Sequence, residues 1–270
     1  MTSGHRGLRN ACVRRGGPCR IVPVRHALSV IKRRTADGPV VTYGIIGLCC
    51  LAFLVSPVSG LGPAHGKPDA LLSAQSAYFE RWGIVPDQLV AWAPHALVTP
   101  VTALFVHGNW LHLLGNMLFL YVFGGMAEER MGHVHFAVFY LVVGALAMSA
   151  YAVANADSAE TLVGASGAIS GVLGAFLLLF PGARVTSLFP FLFFLPLRFP
   201  AWTVLLFWFA LQWFAQRQSY GAGGAQAGPQ VAYLAHLVGF TAGFLYAAAC
   251  YWRPGRVRGQ AVATEGERQP

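Results

Sequence analysis

Apolar residues in this chain gather into long runs separated by short polar stretches, rather than alternating or falling on a single helical stripe. A helix that crosses a bilayer needs about 20 mostly apolar residues. Six stretches approach that length: 40–57, 109–127, 135–155, 161–181, 201–216 and 231–252. The fifth is short, and Val185–Phe199 before it is also apolar but broken by Pro190, Pro196 and Pro200, so that segment is expected to be an interfacial loop. The pattern predicts an all-α, polytopic membrane protein with six transmembrane helices. Gly60 to Val106 is long and mixed, carrying Tyr78, Trp82, Trp92 and several prolines, as an aromatic-rich element at the headgroup level would. Ser219–Gln230, rich in Gly, Ala and Gln, is expected to be a mobile loop.

Composition narrows the class. Hydrophobic residues make up 56% of the chain and charged residues 11%, an imbalance that a soluble domain of this size could not bury. The net charge of +9 would suggest nucleic acid if spread over a surface. Instead, nine of the nineteen Lys and Arg precede Pro39 and four follow the last apolar run. With both tails on one side, the opposite loops hold only Lys67, Arg81 and Arg217, so the positive-inside rule places both termini in the cytoplasm. The expected organisation is a basic, disordered cytoplasmic tail over 1–37, a membrane domain over 38–253 and a cytoplasmic tail over 254–270. The N-terminal tail lacks the amphipathic pattern of a transit peptide, and a bacterial plasma membrane is the expected location. The partners expected are the lipid bilayer and transmembrane proteins, with no nucleic acid, and the sequence leaves the oligomeric state open. Cys49, Cys50 and Cys250 lie in apolar runs and Cys12 and Cys19 in the basic tail, with no disulfide or zinc spacing.

Polar side chains inside hydrocarbon are costly and usually have a partner or a function. His112 and Asn116 are four apart near the start of the second stretch, so they share one helix face. Ser166 is expected a turn and a half into the fourth, and His236 lies at a similar depth in the sixth. At a rise of ~1.5 Å per residue, all four fall roughly 5–12 Å below the outer surface. Gly167 and Gly171, and Gly239 and Gly243, have the small-xxx-small spacing that lets helices approach closely. Such contact would bring Ser166 to His236, and a histidine can take the proton of a serine nucleophile. The Ser166 amide with the His112 and Asn116 side chains could hold an oxyanion. No Asp or Glu shares this depth, so a Ser/His dyad rather than a triad is expected.

Each residue also has a plainer role open to it. A lone GASG is common in membrane helices, a lone His or Asn can simply bond across helices, His107 is expected at the interface, and Ser170 is expected to pack. His107, His112 and His236 could be imagined around a metal, but no carboxylate or thiol joins them and HExxH is absent. No metal or cofactor is therefore expected.

Taken together, His107-Gly-Asn-Trp-Leu-His112-Leu-Leu-Gly-Asn116, Gly164-Ala-Ser166-Gly167 and Ala235-His236-Leu-Val-Gly239-Phe-Thr-Ala-Gly243 resemble the HxxxxHxxxN, GxSG and AHxxGxxxG motifs of the rhomboid intramembrane serine proteases. Glu128-Glu129-Arg130 resembles that family's ExR element. The resemblance covers residues 38–252. It implies a six-helix rhomboid-like bundle and a serine endopeptidase that cleaves transmembrane substrates near the outer face. Ser166 would be the nucleophile and His236 the base, with His112 and Asn116 as oxyanion donors. The fifth helix and the loop after it would gate and cap the site. Substrates would carry small, helix-destabilising residues near their outer end. The alternative is an inactive relative that binds transmembrane clients; a transporter fits less well, since no repeat or mid-membrane acid is present. The chain departs from the family pattern at Val98-Thr99, where many members have Trp-Arg, and at Ser170, where some have a tyrosine beneath the base.

Overall fold

The computed structural model describes residues 38–61, 68–189, 195–221 and 233–251. Among these, helix α1 spans Val40–Val55, α2 Pro68–Trp82, α3 Pro86–Val90 and α4 Thr99–Thr102. Helix α5, Trp110–Phe119, passes through a π-helical turn at Leu120–Gly124 into α6, Gly125–Met131. Helices α7 (His133–Ala154), α8 (Ser166–Leu179), α9 (Ala201–Gly221) and α10 (Tyr233–Tyr251) follow, with strands β1 (Arg184–Phe189) and β2 (Leu195–Pro200) between α8 and α9.

Three of the described helices are long and apolar enough to cross a membrane: the continuous Trp110–Met131, His133–Ala154 and Tyr233–Tyr251. Val40–Val55, Ser166–Leu179 and Ala201–Ala210 are shorter apolar helical segments. The described chain is thus mostly helical with three candidate spans, and the outward surface of the bundle is apolar. Leu111, Val134 and Leu118 are all exposed there, a pattern that lipid tails tolerate and water does not.

Several sequence expectations are corrected. The fourth helix begins at Ser166, not near 161, because Leu162 is drawn into a backbone bridge with Ile84 in both directions (2.9 and 2.8 Å) and Gly164 donates to the Ala103 carbonyl (2.9 Å). An extended strand-like segment satisfies those groups where helix was expected. Val185–Phe189 and Leu195–Phe199 are strand rather than loop: Arg184–Phe189 pairs antiparallel with Leu195–Pro200, and the Ala201 amide donates to the Ala183 carbonyl at the hairpin's base (2.8 Å). Within Gly60–Val106, the described residues form α2, α3, α4 and 3₁₀ turns. His107 is buried within the protein. Both tails, and most of the loop expected at Ser219–Gln230, lie outside the described residues.

Glycine sets how the helices pack. A Cβ on Gly239 would sit 2.2 Å from the Gly167 carbonyl oxygen, one on Gly243 1.9 Å from that of Gly171, and one on Gly174 2.0 Å from that of Phe240. Backbone therefore meets backbone along the α8–α10 seam, as the sequence spacing foretold. Helix α7 closes the third side through Val143, which touches the site of a Gly171 Cβ at 2.4 Å. Phe136, Tyr140, Leu173 and Phe176 fill the core, with Phe123 edge-on to Phe176 at 5.0 Å.

At the other end of α5–α6, the Glu128 carboxylate is fully buried and accepts from the Val41 and Thr42 amides (2.9 and 2.7 Å). It caps α1, whose own N-cap, Pro39, offers no side-chain acceptor. His133 reaches the same carboxylate at 2.5 Å. The ExR glutamate therefore has a structural role, tying α1 to the α6–α7 corner. Arg130, its motif partner, is exposed.

Candidate active site

Ser166 is the first residue of α8, and its side chain lies 2.8 Å from Nε2 of His236, the fourth residue of α10. The seam of glycines one turn deeper holds the two helices at this spacing. The serine hydroxyl can donate to a neutral Nε2, the arrangement that general-base activation requires. His236 is 8% exposed, and the Trp208 ring from α9 packs on its face at 5.8 Å between centroids, tilted by 39°. Phe240, one turn on, touches both Trp208 and Phe209. Ser170 is buried and donates to the Ser166 carbonyl at 2.6 Å, an intrahelical bond one turn below the nucleophile.

Because α8 starts at Ser166, the first amides of the helix precede its hydrogen-bond ladder, which begins with Ile169 donating to Ala165 (3.0 Å). The N-cap, Ala165, has no side chain that could satisfy them. Gly164 before it has φ of +128°, a conformation that residues with a Cβ rarely adopt. A Cβ there would stand 2.7 Å from His112 Cε1 and Nε2 and 3.8 Å from Asn116 Nδ2. Two independent constraints thus demand glycine at this position.

The same distances show that His112 and Asn116 converge on the chain immediately ahead of Ser166. Asn109 caps α5, accepting from the His112 amide at 2.8 Å, and so fixes the start of the helix that carries both. The Gly108 amide donates to His112 Nδ1 at 3.5 Å. A ring that accepts at Nδ1 and is neutral carries its proton on Nε2, the nitrogen beside Gly164. Asn116 is buried and its Nδ2 has no partner among the described residues. An unpartnered buried amide donor is unusual in a settled core and suits a site where an anion is to be received. His107 packs edge-on against His112 at 5.3 Å. Burial first, and then the neighbouring His112, push its pKa down to about 4, against the pull of the Phe105 backbone. His107 is therefore a neutral packing group behind His112.

The structure thus brings together Ser166, His236, His112, Asn116 and Gly164, with Gly167, Gly239 and Gly243 forming the seam beneath and His107 behind. Glu128 and Arg130 belong to the far end of the bundle. Sequence reasoning missed Trp208: nothing in the apolar run of the fifth stretch distinguishes the aromatic that meets His236 from those that meet lipid. No group of three or more His, Cys, Asp or Glu able to hold a metal occurs among the described residues.

Similarity to known proteins points the same way as this geometry. Residues 94–253 match the family model of the Rhomboid domain. The chain is 41% identical over 73 residues to "Rhomboid-like protein 11, chloroplastic" of Arabidopsis thaliana, covering 27% of this chain and 25% of that one. It is 30% identical over 191 residues to "RHOMBOID-like protein 1" of the same plant, covering 70% and 43%. It is 33% identical over 153 residues to "Rhomboid protein 1, mitochondrial" of Saccharomyces cerevisiae, covering 55% and 40%. The chain belongs to the rhomboid family of integral membrane proteins. These matches span less than half the length of each relative.

Proposed function

We propose that this protein is an intramembrane serine endopeptidase that cuts transmembrane substrates by acyl transfer. The observation that carries this is the 2.8 Å approach of Ser166 Oγ to His236 Nε2 beside two further side chains able to donate hydrogen bonds. In this reading His236 takes the proton of Ser166 as the oxygen attacks the peptide carbonyl. The developing oxyanion accepts from the Ser166 amide, from His112 Nε2–H and from Asn116 Nδ2–H. His236 then protonates the leaving amine, and water, deprotonated by the same imidazole, releases the acyl chain. A substrate helix has to unwind locally for this, because its carbonyls are otherwise engaged in their own ladder. Small, helix-weakening residues near the cut therefore favour cleavage.

The six-helix count and the placing of both termini on one side, in the cytoplasm, belong to the same proposal. They rest on the apolar stretches and on the charge asymmetry of the tails. The relatives are plant and yeast proteins, one named chloroplastic and one mitochondrial, and they lend no support to the bacterial plasma membrane expected from sequence.

The test is cleavage of tagged model transmembrane substrates by purified protein in liposomes. Wild type is compared with Ser166→Ala and His236→Ala, and with wild type plus a chelator. Cutting by wild type alone, indifferent to chelator, is expected. Cutting that survives Ser166→Ala would sink the mechanism, and stable binding of substrates without any cutting would favour a client-binding role.

A further inference from the structure

We propose that the hairpin joining α8 to α9 is a docking surface for the phosphate headgroups of anionic lipids. Its register pairs Arg184 with Pro200 and Thr186 with Arg198. Positions two apart on a strand share a face, and so do paired positions across an antiparallel ladder. Arg184 and Arg198 therefore occupy one face as diagonal neighbours, roughly 7 Å apart at the backbone. Both are exposed, and neither has a hydrogen bond or ion pair with any described residue; the salt bridge among those residues joins His133 to Glu128. On the opposite face, Val185 packs against the core and Phe199 is half-buried. The hairpin is thus laid on the bundle by its apolar side, with two guanidinium groups turned outward.

Its position says which phosphate it meets. Ser166 begins α8 and the hairpin follows the other end of that helix, so the arginine face lies at the end of the bundle away from the serine. The short link through Ala183 and Ala201 keeps it at the mouth of two apolar helices, where headgroups of the surrounding leaflet lie. Among the described acids only Glu128 and Glu129 share this end, and Glu128 is buried in the α1 cap. Arg130 adds a third exposed positive charge there. Guanidinium pairs clasp phosphate oxygens through paired charge-assisted hydrogen bonds, and an anionic leaflet supplies such phosphates at high local concentration. Lipid binding at this face does not depend on whether the serine site cuts peptides.

The test counts lipids bound to the purified full chain in a neutral detergent by native mass spectrometry, titrating phosphatidylglycerol or phosphatidylcholine of equal chain length. Wild type is expected to prefer phosphatidylglycerol. Arg184→Gln and Arg198→Gln should each weaken its binding on the order of fivefold, and the double variant about 25-fold, to the level of phosphatidylcholine. Arg184→Lys with Arg198→Lys should retain most of the preference. Equal binding of the two lipids by wild type, or a double variant that binds phosphatidylglycerol as wild type does, overturns the proposal. Displacement of the lipid by an equal concentration of soluble glycerol phosphate would assign the site to free phosphate esters and overturn the lipid source. The preference of wild type is read without any variant, so a misfolded variant cannot decide the matter.

Discussion

Replacing Gly239 with alanine puts the dyad to a quantitative test at a distance from the chemistry. The added Cβ would lie 2.2 Å from the Gly167 carbonyl oxygen and 3.3 Å from Ser170 Cβ. The nearer obstacle is helix backbone, not the end of a flexible side chain, so relief requires α8 and α10 to part. Real Cβ atoms essentially never approach closer than 3.0 Å, so the seam must open by about 0.8 Å here. Gly239 is one turn below His236, and Gly167 is adjacent to Ser166, so the opening is delivered almost undiminished to the dyad. A hydrogen bond of 2.8 Å then becomes one beyond roughly 3.5 Å, outside useful range. Overpacking of this kind costs about 1–3 kcal/mol of stability, while a misplacement of about 1 Å at the reacting groups costs about 100-fold in rate. The two costs are similar as free energies, since 100-fold is about 2.7 kcal/mol. A loss of about 1–3 kcal/mol leaves a protein of ordinary stability folded, so activity should fall about 100-fold while the fold persists.

The assay is the initial rate on a model transmembrane substrate, paired with the rate of labelling by a fluorophosphonate that reports an activated serine without any substrate. Thermal unfolding in the same detergent checks the fold. Gly44→Ala on α1, where a Cβ meets nothing within 4 Å, is the matched control and should be neutral in all three. A Gly239→Ala protein that cuts and labels within about threefold of wild type would refute the reasoning, since the magnitude follows directly from the clash.

Three further outcomes are expected. Glu128→Gln keeps the shape but loses the charge that caps α1, and should cost about 2 kcal/mol, seen as a melting point lower by roughly 4–8 °C; an unchanged melting point would show that the cap is dispensable. Trp208→Ala should lower kcat by about threefold to tenfold at nearly constant KM by freeing the His236 ring, with Trp208→Phe restoring most of it; equal defects in both variants would argue that Trp208 only fills space. His107, held down to about 4 by burial, binds its proton more readily in the unfolded chain. Its stabilising share is therefore present above about pH 6.5 and fades as pH falls towards 4, by about 2 kcal/mol at pH 5. Melting points recorded from pH 7 to pH 5 should show that slope in wild type and a flatter one in His107→Phe, and parallel slopes would refute it.

Much of this was legible in the sequence because the physics involved is local or periodic. The GxxxG spacings foretold the α8–α10 seam, since only small residues at that period let two helix backbones touch. The four-residue interval from His112 to Asn116 foretold their common face. The start of α8 was not legible. Hydropathy cannot tell Thr161 to Ala165 from the helix that follows, because what removes them from it is pairing with residues distant in sequence: Leu162 with Ile84 and Gly164 with Ala103. The hairpin was missed for a related reason. Its prolines at 196 and 200 read as interruptions, and only the register shows that they fall within a ladder.

That one error of boundary changes how the site is understood. Buried a turn and a half into a helix, Ser166 would have its amide committed to the ladder, and only side chains could receive a developing negative charge. At the first position of α8, the amide is free of the ladder, and the positive end of the helix dipole points at the same place. The cost of starting a helix inside an apolar bundle falls on the residues before it. Gly164 must take a φ of +128°, and the preceding strand-like segment must find backbone partners in the chain between α1 and α5. The long first connection is thereby part of the machinery: through Ile84 and Ala103 it holds the segment that holds the serine. Substitutions in that connection that spare every motif residue should therefore disturb Ser166, through the loss of Leu162 and Gly164 as anchored points rather than through any contact with the dyad.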